Sequence, residues 1–421
     1  MRITSSLSAA IEHARVLVVG GGAAGLGAAS QLSRVIRTSF AVTLVDASET
    51  HYYQPGFTLV AAGILPLSSD MRRQDKLIPS GVRAVRKSAA GFRPAENIVE
   101  LSDGSRLSYD VLVVATGIEL RFDLVKGLAD AIETPLVTSI YHPKLAEKTY
   151  RLLHSVAAGE FLFTFPHTPI KCAGAPQKIC YLADDILRSR GVRDVSRVHY
   201  STTLPRIFGV PKYAEELEKI VKERDIHLHT RQQLIEVDAA RQHAVFRDLD
   251  SDEVVERRYD FLHVGPPCST VRAVRECADL TDAGGWVDVD GQTLQSRHFP
   301  NVFAVGDCAN TPNAKTAAAV SSQLKAVTPN VLSFLAGRAL SEKYNGYGSC
   351  PLVLSRNSAM LAEFGPNGPL ETLPFNQARP SYWAYLMKRY AMPPLYWHGL
   401  IRGRWHGPAT IRKMLHLGRG E

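Results

Sequence analysis

The segment Arg15-Val-Leu-Val-Val-Gly-Gly-Gly-Ala-Ala-Gly25 constrains this chain more than any other, because an apolar run emptying into Gly20-x-Gly22-x-x-Gly25 dictates a strand, a tight turn and a helix in succession. Gly20 permits the turn, Gly22 lets the backbone approach a phosphate, and Gly25 lets a helix over Ala23 to Ser33 pack on the strand beneath it. A helix N-terminus presented in this way suits the pyrophosphate of a dinucleotide. The next apolar run, Val42-Thr-Leu-Val-Asp46, ends in a carboxylate 21 residues after Gly25, placed for a ribose hydroxyl.

Two later segments give that fingerprint a context. Tyr109-Asp-Val-Leu-Val-Val-Ala-Thr-Gly117 has the pattern of a buried strand closing in a glycine turn at Thr116 and Gly117, and Phe299-Pro-Asn-Val-Phe-Ala-Val-Gly-Asp307 is a further strand ending in an acid. In this order and spacing the three segments resemble the flavoprotein disulfide reductase superfamily. The resemblance implies FAD, with Asp307 at the ribityl and phosphate region.

The middle of the chain predicts a second lobe of related shape. Gly159-Glu-Phe-Leu-Phe-Thr-Phe165 reads as its first strand, Gln177 to Arg190 as a helix, and Val195 to Tyr200 and Glu236 to Phe246 as further strands. After Phe165, however, come Pro166, Pro169, Cys172 and Pro176 where a second dinucleotide needs bare amides, so NAD(P)H is not expected as a substrate.

Composition narrows the class. With 421 residues, 45% hydrophobic, the chain is long enough for two or more cores. Six cysteines are too sparse for a disulfide scaffold, so a pairing among them points to catalysis. No apolar run reaches the roughly 18 residues of a membrane span. Met1 to Ala14 carries Arg2, three serines and only Glu12 as an acid, which suits either a short targeting remnant or an ordinary irregular start. The formal charge of +8 is concentrated: Arg379 to Glu421 holds a net +7, with Trp383, Trp397, Trp405 and four tyrosines. Basic heads among amphipathic rings suit a membrane surface. No nucleic-acid module accompanies them, and nucleic acid is not an expected partner. Two short interfacial helices, Tyr382 to Tyr390 and Leu395 to Trp405, are predicted, broken apart by Pro393-Pro394.

The closely spaced C-x-x-x-x-C of the glutathione reductases is missing, but five segments resemble the mitochondrial-type sulfide:quinone oxidoreductases. These are Ile170-Lys-Cys-Ala-Gly-Ala-Pro-Gln-Lys178, Ile207-Phe-Gly-Val-Pro-Lys-Tyr213, Lys315-Thr-Ala-Ala-Ala-Val320, Tyr347-Gly-Ser-Cys-Pro-Leu-Val353 and Tyr385-Leu-Met-Lys388. The likeness runs from Arg15 onward. It implies that Cys172 and Cys350, 178 residues apart, form the redox pair, that hydrosulfide attacks at Cys350 to leave a persulfide, and that Cys172 departs as a thiolate. It further implies a small sulfane acceptor such as glutathione or sulfite, electrons passed through FAD to ubiquinone, and a site peripheral to the mitochondrial inner membrane, or to the cytoplasmic membrane in a bacterium. By the same matching, Ala24 and Gly25 meet the pyrophosphate, Asp46 the ribose, Gln54 the flavin side, Ala89 the adenine and Lys315 the isoalloxazine. A leaving thiol needs a low pKa, and Lys178 and Lys388 are the expected electropositive support.

Of the other cysteines, Cys308 reads as a core residue, Cys180 lies two helical turns from Cys172 and is badly placed to bridge it, and Cys268 and Cys277 have no motif support, an auxiliary thiol at Cys268 being the alternative that bacterial relatives suggest. Histidine and cysteine spacing gives no metal site, and no G-x-S-x-G marks a hydrolase. The expected fold is α/β, two Rossmann-like nucleotide-binding-type domains with a C-terminal membrane-associating helical segment. Its divisions are 1–143 for the first part of the FAD domain, 144–277 for the second lobe, 278–345 for the return to the FAD domain, and 346–421 for the redox-cysteine and membrane region. A type II NADH:quinone oxidoreductase and a non-catalytic flavin-binding sulfur carrier are the alternatives.

Overall fold

The computed structural model describes residues 11–312 and 314–417. Most of the segment weighed as a targeting remnant lies outside them.

The first apolar run becomes strand Glu12–Val19, whose Val16 to Val19 are all buried, and it leads directly into helix Ala23–Ile36. This strand is central to a seven-stranded sheet in the order Val82–Val85, Val42–Val45, Glu12–Val19, Arg106–Val114, Ile98–Leu101, Ala89–Arg93. The first four strands run parallel, Ile98–Leu101 pairs antiparallel with the fourth, and Ala89–Arg93 pairs antiparallel with Ile98–Leu101. Strand Val302–Ala304 pairs with the far end of Arg106–Val114, so the chain returns to this sheet after building the second lobe. Valines and leucines on both faces fit a buried parallel sheet, and helix Ala23–Ile36 and the long helix Ala317–Leu335 pack side by side against it.

The second lobe is a five-stranded parallel sheet, Val137–Thr138, Phe261–Val264, Gly159–Phe165, Ser196–Thr202 and Ile226–His229. Helix Ala175–Ser189 packs on it. The strand expected over Glu236 to Phe246 is instead a hairpin, Gln232–Asp238 and His243–Asp248, in a separate antiparallel sheet completed by Val254–Arg258. Its turn has Gln242 in the left-handed region, φ 56°, and no glycine or proline announces it.

The hairpin Gly348–Ser355 and Ser358–Gly365 packs on helix Ala175–Ser189 and carries Cys350 opposite Ala362. Beyond it the tail differs from expectation. The helical run is continuous from Tyr382 to Leu400, and Pro393-Pro394 do not interrupt it. Wide π-helical turns at Met387–Ala391 and Leu395–Leu400 flank the prolines and re-route the hydrogen bonds that proline cannot donate. A further helix, Ala409–Leu415, closes the tail. Among the described residues no helix is long and apolar enough to cross a membrane.

Candidate active site

The glycine turn makes a cradle. Gly20 has φ 104°, and a Cβ on Gly25 would stand 1.7 Å from the Gly20 carbonyl oxygen, so helix and strand meet with no room for a side chain. A Cβ on Gly22 would meet nothing, because that position opens onto a cavity of about 980 Å³. Bare backbone at a helix N-terminus, facing a space of ligand size, fits a dinucleotide pyrophosphate. Asp46 braces the turn by accepting hydrogen bonds from the Gly21 and Ser48 amides. Thr116, Gly117, Asp307 and Lys315 line the same cavity with Gly20, Gly22 and Ala24. Lys315 Nζ donates to the carbonyls of Asp307 and Ala309 at 2.7 and 3.0 Å and lies 4.0 Å over the Trp286 ring. The residues therefore fit FAD.

The two distant cysteines meet at the wall of that cavity, with Cys172 Sγ and Cys350 Sγ 3.5 Å apart. Cys172 precedes helix Ala175–Ser189 in the left-handed region, φ 53°, a strained conformation for a side-chain-bearing residue. Its backbone is pinned there: its amide donates to the Lys315 carbonyl at 2.7 Å, and its carbonyl accepts from the Ala175 amide and the Tyr141 hydroxyl. Gly174 makes the approach possible, since a Cβ at that position would lie 2.5 Å from Cys350 Sγ.

The pair is electrically unequal. The hydrogen bond from the Cys350 thiol and the Lys178 ammonium, whose Nζ is 3.2 Å from Cys172 Sγ, together hold Cys172 well below the usual thiol range against the opposing effect of burial. Cys350 is pushed well above that range by the same hydrogen bond and by burial. Burial opposes the charge on Lys178, yet the two sulfurs beside it bring its pKa up to about 12. Lys388 reaches in from the tail, 2% exposed, with its Nζ donating to the Pro55 carbonyl at 2.8 Å; burial and the like charge of Lys178 bring its pKa down to about 8.

Of the residues expected from sequence, Gly20, Gly22, Ala24, Gln54, Thr116, Gly117, Cys172, Lys178, Asp307, Lys315 and Lys388 all line the cavity. Gly25 and Asp46 stand just behind its glycine wall, and Cys350 reaches it through Cys172. Ala89 sits half-buried in strand Ala89–Arg93 and is not part of the lining. Gln54 accepts a 2.6 Å hydrogen bond from Lys171.

Several site residues escaped the sequence reading. His51 Nε2 shares a 2.6 Å hydrogen bond with the Tyr396 hydroxyl, and Gln74 Nε2 donates to the Gly21 carbonyl at 2.8 Å while its Oε1 meets His51. The phosphate turn is thereby tied to the tail. Trp397, expected at an interface, is buried 5.7 Å from the His51 ring and beneath Arg72, and Trp405 faces the cavity; of the three tail tryptophans only Trp383 stands well exposed, at 72%. The sequence signal for His51 and for Tyr53, which also lines the cavity, was their nearness to Gln54; Gln74 offered none.

Comparison with known proteins decides the family. The sequence profile of the "Pyridine nucleotide-disulphide oxidoreductase" family matches residues 14–156 and 178–322. A mouse protein, "Sulfide:quinone oxidoreductase, mitochondrial", is 43% identical over 99% of this chain and 92% of its own, and the Dictyostelium discoideum protein of the same name is 40% identical over 94% and 88%. The chain belongs to the sulfide:quinone oxidoreductase family. The Aquifex aeolicus sulfide:quinone oxidoreductase structure superposes with a TM-score of 0.82 over 96% of this chain and 95% of that one, at 20% identity, which is a likeness of fold. As a member of this family the chain is a flavoprotein oxidoreductase that uses FAD, and its dithiol is built into the family's two-lobed α/β frame.

Proposed function

We propose that this sulfide:quinone oxidoreductase oxidises hydrogen sulfide through a persulfide on Cys350 and delivers the electrons to ubiquinone. The observation that carries the reading is the meeting of Cys172 and Cys350 at 3.5 Å beside two buried lysines. In the oxidised pair, hydrosulfide attacks Cys350 Sγ, the sulfur–sulfur bond to Cys172 breaks, and the electron pair leaves on Cys172. Attack takes this direction because the sulfur with the lower thiol pKa leaves faster, and Lys178 and Lys388 stabilise the charge that Cys172 acquires. A small thiolate or sulfite then takes the outer sulfur from Cys350, and the two thiols re-form their bond by giving up two electrons. FAD held by Gly20, Gly22, Ala24, Gly25, Asp46, Asp307 and Lys315 supplies a two-electron carrier between the dithiol and the quinone. Lys171, joined to Gln54, adds a cation to the same wall and favours anionic substrates.

The quinone path is supported by the tail. Met387, Ala391, Met392, Leu395 and Ile411 line the cavity, while Tyr382, Trp383, Tyr390, Met414 and Leu417 of the same segment are exposed among Arg379, Arg389 and Lys413. Apolar cavity wall carried on a segment that also holds exposed rings and cations suits an enzyme lying on a membrane and drawing a lipid-soluble substrate from it. By likeness to its relatives, whose names place them in mitochondria, that membrane is a mitochondrial one.

The test is anaerobic titration with sulfide, with the Cys350 peptide followed by mass spectrometry. Flavin bleaching by sulfide and a gain of one sulfur on Cys350 are expected in the wild type, with both lost in Cys172→Ser and Cys350→Ser. Bleaching by NADH in place of sulfide, or full turnover in both serine variants, refutes the reading.

A further inference from the structure

Three buried side chains join the tail to the phosphate turn, their polar ends meeting in series. The Tyr396 hydroxyl lies 2.6 Å from His51 Nε2, and His51 Nδ1 lies 3.1 Å from Gln74 Oε1 and 3.2 Å from the Gly21 carbonyl oxygen. Two acceptors at Nδ1 place the ring proton there, so Nε2 accepts from the hydroxyl. Burial lowers the His51 pKa against the pull of Gln74, Gly21 and Asp46, which keeps the ring neutral and this direction of donation fixed.

At the far end of the series both peptides of the turn are clamped. The Gly21 amide donates to Asp46, and the Gly21 carbonyl accepts from Gln74 Nε2 at 2.8 Å as well as from His51. A Cβ on Gly21 would stand 2.2 Å from Gln74 Nε2, so only glycine admits that contact. The Gly21–Gly22 peptide is planar and trans, and a carbonyl held toward Gln74 and His51 therefore sends the Gly22 N–H the opposite way. Gly22 caps helix Ala23–Ile36 and lines the cavity. The aim of an amide at the helix N-terminus is thus set in part by a hydroxyl of the tail.

We infer that Tyr396 and His51 are positioning residues that couple retention of FAD to docking of the tail. A docked tail fixes the Gly21–Gly22 peptide at the cofactor's phosphate turn, and bound cofactor in return favours the docked tail, since a coupling between two sites acts equally in both directions. Arg34 gives an independent handle on the same tail: it stands in the last turn of helix Ala23–Ile36, at the opposite end from the phosphate turn, and donates to the carbonyls of Arg402 and Gly403 at 2.6 and 3.0 Å.

The test dilutes FAD-loaded full-length protein and follows the rise of free-flavin fluorescence in the wild type, Tyr396→Phe, Arg34→Ala and the double variant. Tyr396→Phe keeps the ring against Tyr53 and Trp397, at centroid distances of 4.9 and 5.2 Å, and removes the hydroxyl alone; it should release FAD about tenfold faster. Arg34→Ala should also speed release, but add little in the double variant, where the link it acts through is already cut. Amide exchange over residues 395–405 of the loaded protein should quicken in both single variants. His51→Asn, whose amide still donates to Gly21 but is too short to reach the tail, should match Tyr396→Phe and replaces it if that variant does not accumulate with flavin. Release unchanged in Tyr396→Phe or His51→Asn, even with faster tail exchange, means a merely structural hydrogen bond and overturns the inference. Release unchanged in Arg34→Ala despite faster tail exchange, or accelerations that combine in full in the double variant, overturns the coupling through Tyr396.

Discussion

Lys178→Met should convert Cys172 from a thiolate into an ordinary buried thiol. At 3.2 Å, an ammonium and a thiolate attract by about 5 kcal/mol at an effective dielectric constant of about 20, so removing the charge raises the Cys172 pKa. The Cys350 hydrogen bond, the remaining charge of Lys388 and water entering the vacated space moderate the rise. Thiol–disulfide exchange responds by about half an order of magnitude per pKa step, so sulfide-driven flavin reduction should fall by roughly one to two orders of magnitude. The direct assay is the pH dependence of Cys172 alkylation by iodoacetamide, with the Cys172 and Cys350 peptides resolved by mass spectrometry. The wild type should alkylate at Cys172 well below pH 9 and the variant only near or above it. Lys178→Arg should restore part of the reactivity. An alkylation midpoint unchanged in Lys178→Met would show that the Cys350 hydrogen bond alone holds the thiolate, and the leaving-group argument would fail.

Other consequences follow from particular atoms. Gly174→Ala should drive the sulfurs apart, since its Cβ falls 2.5 Å from Cys350 Sγ; non-reducing peptide mapping should then find the Cys172–Cys350 disulfide depleted in a protein that still binds FAD. Asp70 is an acid whose folded pKa is raised, so the native state binds more protons than the unfolded one between 3.8 and about 6, and stability falls as pH rises through that window. Asp70→Asn should therefore unfold at higher denaturant than the wild type above pH 6, by up to about 3 kcal/mol, with the difference vanishing below pH 3.8; equal stability at pH 7 would refute the buried-charge account. Trp383→Asp with Met414→Asp and Leu417→Asp should abolish pelleting with anionic liposomes at an unchanged melting temperature, because all three side chains are exposed; undiminished pelleting would remove the tail from the membrane.

The parts of this molecule legible in its sequence are those fixed by local constraint. Gly20, Gly22 and Gly25 are needed within one turn, so their spacing alone forecasts the strand, the cradle and the helix that follow. Cys172 and Cys350 lie 178 residues apart, and only likeness to a family paired them; the physical reason, Gly174 beneath Cys350 Sγ, depends on how a hairpin seats on a helix. Pro393-Pro394 misled because a proline's missing donor is decisive in an α-helix and tolerable beside π-turns, which pattern does not reveal. Asp70 gave no signal at all: its burial against Gly56 is set by how the chain folds back, not by any local pattern.

The cations of the site also come from separate places: Lys171 from the loop before helix Ala175–Ser189, Lys178 from that helix, Lys315 from the approach to helix Ala317–Leu335, and Lys388 from the tail. Each is costly to bury, and no one element supplies two that could be lost together without disturbing the rest of the fold, apart from the short Lys171 to Lys178 stretch. The tail is bound back by Ser30 and Arg34, which donate to the carbonyls of Ile401, Arg402 and Gly403, and by the His51–Tyr396 hydrogen bond that leads to the phosphate turn. Lys388 thus reaches the thiolate only while the tail is docked on the FAD lobe. Lys388 and the cavity-lining Met387, Ala391, Met392 and Leu395 stand on one helical run, so undocking it would open that wall of the cavity and remove a cation of the sulfur site in the same motion.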